Sequence, residues 1–286
     1  MTGLVSNLLL GVALGTVTSW LGHRSGFLSS SGVAAVLVVS VLIFLSGGWV
    51  WGVVSLVFLA STSLWSRLRV AYKRNVSDGF NGDSARNWDQ VLARLGWSVG
   101  LALFHVLASK STGVFIAFVG AVAAANADAW ATELGVLSRQ PPRLITTRRP
   151  VSAGTPGGLS VMGIVAALGA SWFIGFVGLL LTTAKAWLDK VEWDSALLWL
   201  PPAAMIGGIA ASLIDSLLGA TAQGIYYCEH CDKRTEKRIH ECGQVAQQIR
   251  GWSWLTNDGI NFVGSVVGAA ATLGAVTWLA QIGRRW

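Results

Sequence analysis

Eight apolar runs partition the chain, at residues 3–21, 32–46, 47–66, 90–107, 112–130, 158–183, 198–222 and 257–280. Most approach the roughly 20 residues that a helix needs to cross a bilayer. Inside a bilayer every backbone N–H and C=O must be satisfied within the protein, so only helices and closed barrels span it. The runs are too long for barrel strands and show no period-2 alternation, which favours helices. The expected fold is an all-α, polytopic membrane helix bundle forming a single integral membrane domain over 1–286. About eight transmembrane helices are expected, or seven if the Ser46-Gly47-Gly48 break merges the second and third runs.

Composition agrees. Only 12% of residues are charged and the mean hydropathy is +0.56, against about 25% charged in a soluble domain. The 34 glycines suit close helix packing in lipid, and the 15 tryptophans suit interfacial anchors. The first run has no positive region ahead of His23 and Arg24, and reads as a span rather than a cleaved leader. No nucleic-acid-binding module is evident, and the net charge of +7 is better explained by topology. With eight spans, the loops at 22–31, 67–89, 131–157 and 223–256, together with Arg94, hold 16 of the 21 Lys and Arg residues. The positive-inside rule makes that side cytosolic, or its organellar equivalent, with both termini opposite.

Acidic residues are rare in the spans, and an ionisable group there is by default a functional candidate. Asp128, Asp215 and Asp258 lie within or at the ends of apolar runs, all toward the cytosolic side. Around Asp215, the residues Gly208, Ala211, Ser212, Ser216, Gly219, Ala222 and Gln223 recur at helical spacing. They form one small or polar stripe that faces the bundle. The stripe reads either as a tight helix seam with one polar clamp or as the wall of a site. Asn257, Asn261, Gly264, Ser265 and Gly268 form a similar stripe, with Asp258 at its edge. In NADAWATELG (126–135), Asp128 and Thr132 share a helical face while Asn126 and Glu133 share another. A regular helix cannot aim all four at one point.

Four arginines, including Arg143, Arg148 and Arg149, precede Gly154-Thr155-Pro156-Gly157-Gly158 at the start of the sixth run. Glycines let backbone approach a ligand, and a helix N-terminus favours phosphate. The plainer reading is a capped loop carrying topogenic arginines. Taken together, acids, arginines and a glycine-opened helix suggest a metal-bound phosphate site. Mg2+ prefers oxygen ligands, typically one or two carboxylates plus substrate phosphates.

The motifs NADAWATELG, PRLITTRRPVSAGTPGGLSVMG, LIDSLLGATAQ and WLTNDGINF, in that order, resemble the transmembrane protein 19 family, which includes plant phytyl-phosphate kinases. RNWDQVLARLG (86–96) also resembles a family segment, and the likeness spans roughly 60–280. The resemblance implies a membrane kinase that converts phytyl or geranylgeranyl phosphate to the diphosphate. Its phosphoryl donor would be a nucleoside triphosphate, CTP foremost. Under it, Asp128, Asp215 and Asp258 hold Mg2+, while Asn126, Asn257 and Asn261 orient phosphates or metal-bound water. Thr155, Gly157 and Gly158 cradle phosphate, and Arg86, Arg143, Arg148 and Arg149 neutralise its charge. Glu133 is either a metal ligand or a helix-end contact. The competing readings are a transporter or channel with a buried polar site, another lipid-phosphate enzyme, and a non-catalytic scaffold.

The loop YYCEHCDKRTEKRIHECG (226–243) places Cys228, Cys231, His240 and Cys242 in a C-x2-C-x8-H-x-C pattern, with His230 as a competing ligand. Four such donors can build a structural Zn2+ site, and zinc would stiffen the loop between the spans bearing Asp215 and Asp258. Unligated reduced thiols and a redox role stay open.

Overall fold

The computed structural model describes residues 2–73, 85–108, 111–240 and 242–283. The helices are α1 (Thr2–Arg24), α2 (Ser30–Gly47), α3 (Trp49–Lys73), α4 (Trp88–Leu107), α5 (Thr112–Gly135), α6 (Val161–Asp189), α7 (Leu200–Thr221) and α8 (Asn257–Gly283). Eight helices among the described residues are long and apolar enough to cross a membrane. Gly48 decides between seven and eight. Its φ of 80° lies in the left-handed region that glycine tolerates, and its N–H caps α2 on the carbonyl of Phe44, so α3 begins afresh at Trp49.

Several helix boundaries differ from expectation. Helix α3 runs on to Lys73, into the expected loop 67–89, because RLRVAYK is rich in helix formers and holds no breaker. Helix α6 begins at Val161 and not at 158. Gly158–Leu159 instead form a short strand, β2, antiparallel to β1 (Arg143–Leu144), and Ser160 caps the helix by accepting from Gly163 N–H. The side chains of Arg67, Arg69 and Lys73, together with Arg74, Lys110, Arg284 and Arg285, entered the charge reading but lie outside the described residues.

Helix α5 is the centre of the bundle. Of its most apolar 18-residue window 78% is buried, against 17–44% for the other helices. Small residues let its neighbours close in. Gly120 of α5 meets α8 at Thr272 and Gly268, and Gly208 of α7 meets Ser171 of α6. A side chain at Gly120 would sit 2.6 Å from Thr272 and 2.7 Å from the Gly268 carbonyl oxygen, which is backbone and cannot rotate aside. Gly120→Val is therefore expected to destabilise the protein by about 1–3 kcal/mol. Thermal melting of the detergent-solubilised protein checks this, and an unchanged melt contradicts the α5–α8 seam.

Outside the helices, residues between α7 and α8 form a three-stranded antiparallel sheet in the order β4 (Lys233–Thr235), β3 (Ile225–Cys228), β5 (Gln247–Arg250). Trp252 and Trp254 stack outside it and are 56% and 71% exposed, suited to the headgroup layer.

Candidate functional site

Helices α6 and α7 touch at Gly175–Ala204 and at Ser171–Gly208. Farther along, toward the start of α6 and the end of α7, a cavity of about 370 Å3 separates them. Its walls come from five helices and the loops that precede α6 and α8. Helix α5 supplies Asp128 and Thr132, one turn apart, and α7 supplies Ser212, Asp215, Ser216 and Gly219 along the small-polar stripe. Helix α4 adds Arg94, the segment before α6 adds Thr155, Gly157 and Gly158, and the residues after α7 add Gln223, Glu236 and Asn257.

The glycine loop is pinned to α7. Gly157 has φ 84°, and a Cβ there would stand 2.5 Å from the Ala220 Cβ. Only a residue without a side chain lets the loop lie this close in this conformation. The Thr155 hydroxyl donates to the Ser152 carbonyl at 2.8 Å and lies 3.1 Å from the Ser152 hydroxyl, so both bonds fold the loop on itself.

The charged side chains lining the cavity are Arg94, Asp128, Asp215 and Glu236. Arg94 Nη2 donates to Asp128 Oδ2 at 2.9 Å, with side chains 15% and 22% exposed. Arg94 Nη1 is buried without a hydrogen-bond partner. Asp215 packs against the Asp128 carboxyl. One arginine thus faces three acids, and that surplus of negative charge suits a divalent cation with oxygen ligands. Glu236 is exposed as a residue, yet its carboxyl reaches in among the wall atoms. This crowding pushes it above the usual carboxylate range, while the nearby Gln223 amide pulls it back. Gln223 itself is 2% exposed, and its Nε2 lacks a hydrogen bond of normal geometry.

Six expected residues therefore meet: Asp128, Asp215, Thr155, Gly157, Gly158 and Asn257. The others stand elsewhere. Asp258 lies in the first turn of α8, off the cavity wall but within electrostatic reach of Arg94 and Glu236. Asn261 lines, with Arg94, Asp128 and Asp215, a second space of about 10 Å3, roughly the room of one water. Asn126 is fully buried and clamps three helices, donating to the Ala170 carbonyl at 3.0 Å and accepting from Ser61 Oγ at 2.9 Å. Glu133 is buried within α5 and accepts from Ser66 Oγ at 2.9 Å. Arg86 stacks on Phe27 and donates to Thr62. Arg143, Arg148 and Arg149 are exposed on the β1 turn, where Arg143 Nη1 donates to the Arg148 carbonyl.

Arg94 and Glu236 are absent from the sequence-based site, and Gln223 enters it only as part of the stripe around Asp215. Arg94 had a signal, since it sits inside the fourth run at helical spacing from the buried Val91 and Ser98. Glu236 had none, being one of six charged residues in DKRTEKR.

In the same loop, the ligand atoms of Cys228, Cys231, His240 and Cys242 all lie within 4.8 Å of one another. Hydrogen bonding splits the thiols. His240 holds Cys242 down to about 6, and the bond to Cys242 pushes Cys231 up to about 11.

Residues 13–269 match the family described as integral membrane protein DUF92. The chain is 34% identical over 249 residues to Protein PGR of Arabidopsis thaliana, covering 82% of this chain and 83% of that protein. It is 36% identical over 131 residues to the uncharacterized membrane protein MJ0933 of Methanocaldococcus jannaschii, covering 45% of this chain and 50% of that one. No solved structure matches it. The family resemblance carried by the four motifs is borne out, and the chain belongs to the DUF92 family of integral membrane proteins.

Proposed function

We propose that the cavity transfers a phosphoryl group from a nucleoside triphosphate, CTP foremost, to an isoprenoid monophosphate such as phytyl or geranylgeranyl phosphate. The observation that carries this reading is the composition of one cavity. Asp128 and Asp215 stand together beside a glycine loop, and the α6–α7 wall adds an apolar side formed by Ile164, Ala167, Ile209 and Leu213. Ile164 and Leu213 in that wall also face outward, 38% and 45% exposed, so the cavity reaches the lipid-facing surface. Phosphates suit the first end and an isoprenoid chain the second. The side bearing most basic residues faces the cytosol in this reading, where the nucleotide is.

In the reaction, an oxygen of the monophosphate attacks the terminal phosphorus of the nucleotide. A new P–O–P bond forms as the bond to the nucleoside diphosphate breaks, and that diphosphate leaves with the electron pair. The attacking oxygen is largely ionised near neutrality, so no strong general base is required. Phosphoryl transfer depends on positioning and charge neutralisation. Asp128 and Asp215 would hold Mg2+, which supplies positive charge to the phosphates when bound. Arg94 keeps Asp128 in place through Nη2 and offers Nη1 to a phosphate oxygen. Gly157 brings the loop backbone near the phosphates.

Purified protein in lipid nanodiscs, given geranylgeranyl phosphate, Mg2+ and each nucleoside triphosphate in turn, tests this reading. Diphosphate is expected with at least one nucleotide and not without Mg2+. Leu213→Trp fills the α6–α7 opening and is expected to raise KM for the 20-carbon substrate by about 10-fold or more, while a five-carbon monophosphate is little affected. Equal effects on both chains would move the tail elsewhere.

A further inference from the structure

The sheet between α7 and α8 has little to hold it together. Within it the buried apolar side chains are Ile225, Tyr226, Cys228 and Ala246, whereas Ile239, Val245, Ile249, Trp252 and Trp254 are exposed. A unit this small with so thin a core usually needs a disulfide or a metal. Its three cysteines are unpaired, and Cys228 Sγ lies 3.6 Å from Cys242 Sγ, well beyond an S–S bond.

That spacing fits a metal. With Zn–S bonds of about 2.3 Å, the edge of a zinc tetrahedron is about 3.8 Å. His240 presents Nδ1 to the same sulfurs, 3.1 Å from Cys242 Sγ. The four donors come as two pairs from two similar turns. Cys228 ends β3 and Cys231 sits in the β3–β4 turn, and the next residue, Asp232, has φ 51°. His240 and Cys242 sit in the turn closed by the Ile239–Val245 bridge, and the next residue, Gly243, has φ 83°. In each turn a left-handed residue directly after the second donor folds the chain back, leaving both donors on one side. Among the described residues, no other group of three or more His, Cys, Asp or Glu side chains is gathered closely enough to share an ion.

We propose that Cys228, Cys231, His240 and Cys242 bind one structural Zn2+ and that this ion holds Glu236 at the cavity wall. Protein donors fill all four positions, so the ion has no open site for catalysis. Binding releases the thiol protons, and its free energy becomes folding free energy of the loop. Glu236 lies between Thr235, paired with Tyr226 of β3, and Arg238, whose carbonyl accepts from Ala246, and the ion ties these two short pairings to each other. The far end of the sheet is already anchored, since Arg250 Nη2 donates to the Gly219 carbonyl of α7 at 2.6 Å. The zinc site does not depend on what the cavity binds.

Metal analysis of the full-length protein, purified without metal-affinity steps, is expected to find about one zinc per chain. Cys228→Ser and Cys242→Ser should lose it, while His240→Cys, which keeps four donors, should retain it. Stripping zinc from wild type with a chelator should speed backbone hydrogen exchange across 225–250, including the Glu236 segment, and leave α5 protected. Wild-type protein without zinc, whose thiols react equally fast with and without added Zn2+, would overturn the site. So would a Cys228–Cys242 disulfide in the intact mass. Unchanged exchange at Glu236 after zinc removal would overturn its positioning role.

Discussion

Asp215→Asn will lower nucleotide-dependent diphosphate formation by about 10²–10³-fold and leave the protein as stable as wild type. The loss follows from removing one of two adjacent carboxylates where charge is neutralised in the transition state. Stability is spared because the Arg94–Asp128 pair does not involve Asp215. Asp128→Asn will cost as much activity and stability besides. It strips Arg94 of its carboxylate, and a partly buried guanidinium losing a charged hydrogen bond costs about 1–3 kcal/mol. Steady-state assay and detergent melting together separate the two variants. Both should also need more Mg2+ for half-maximal rate. If both kept full activity at every Mg2+ concentration, neither carboxylate would hold the ion.

The second large effect is at Gly157. Gly157→Ala combines a left-handed conformation, costing about 1–3 kcal/mol for a residue with a side chain, with a Cβ only 2.5 Å from that of Ala220. The loop must lift from α7, and a displacement of about 1 Å at a reacting centre can cost about 10²-fold in rate. Gly26 provides the control. It too has positive φ, at 73°, but a Cβ there would meet nothing within 4 Å. Gly26→Ala should pay the strain and keep its rate. Equal rates for the two variants would mean that the glycine loop does not contact the reacting groups.

What was legible in the sequence follows from what lipid penalises. Spans show because an apolar run of membrane length has few alternatives. Asp128 and Asp215 show because a carboxylate inside such a run is expensive. Arg94 carries the same penalty, but counting it with the topogenic arginines hid it. The resemblance also gave Arg143, Arg148 and Arg149 a phosphate role. They precede the glycine loop in sequence, yet the β1–β2 pairing leaves them exposed on its outer turn. Asn126 and Glu133 turn from Asp128 toward α3, as their helical spacing requires. The sheet and Glu236 stayed hidden because short strands in a charged loop have no hydrophobic period to read. Their placement depends on docking against the ends of α7 and α8.

The most direct measurement follows the phosphorus atom itself. Nucleoside triphosphate labelled at the terminal phosphate is incubated with reconstituted protein, Mg2+ and geranylgeranyl monophosphate, and the lipid is extracted. The account predicts label in the lipid diphosphate, one equivalent for each nucleoside diphosphate formed, at a rate about 10²–10³-fold lower with Asp215→Asn. Label that stays in intact nucleotide or appears only as inorganic phosphate, with each of the four nucleotides and with correctly folded protein, would contradict a phosphoryl-transfer site between α5, α6 and α7.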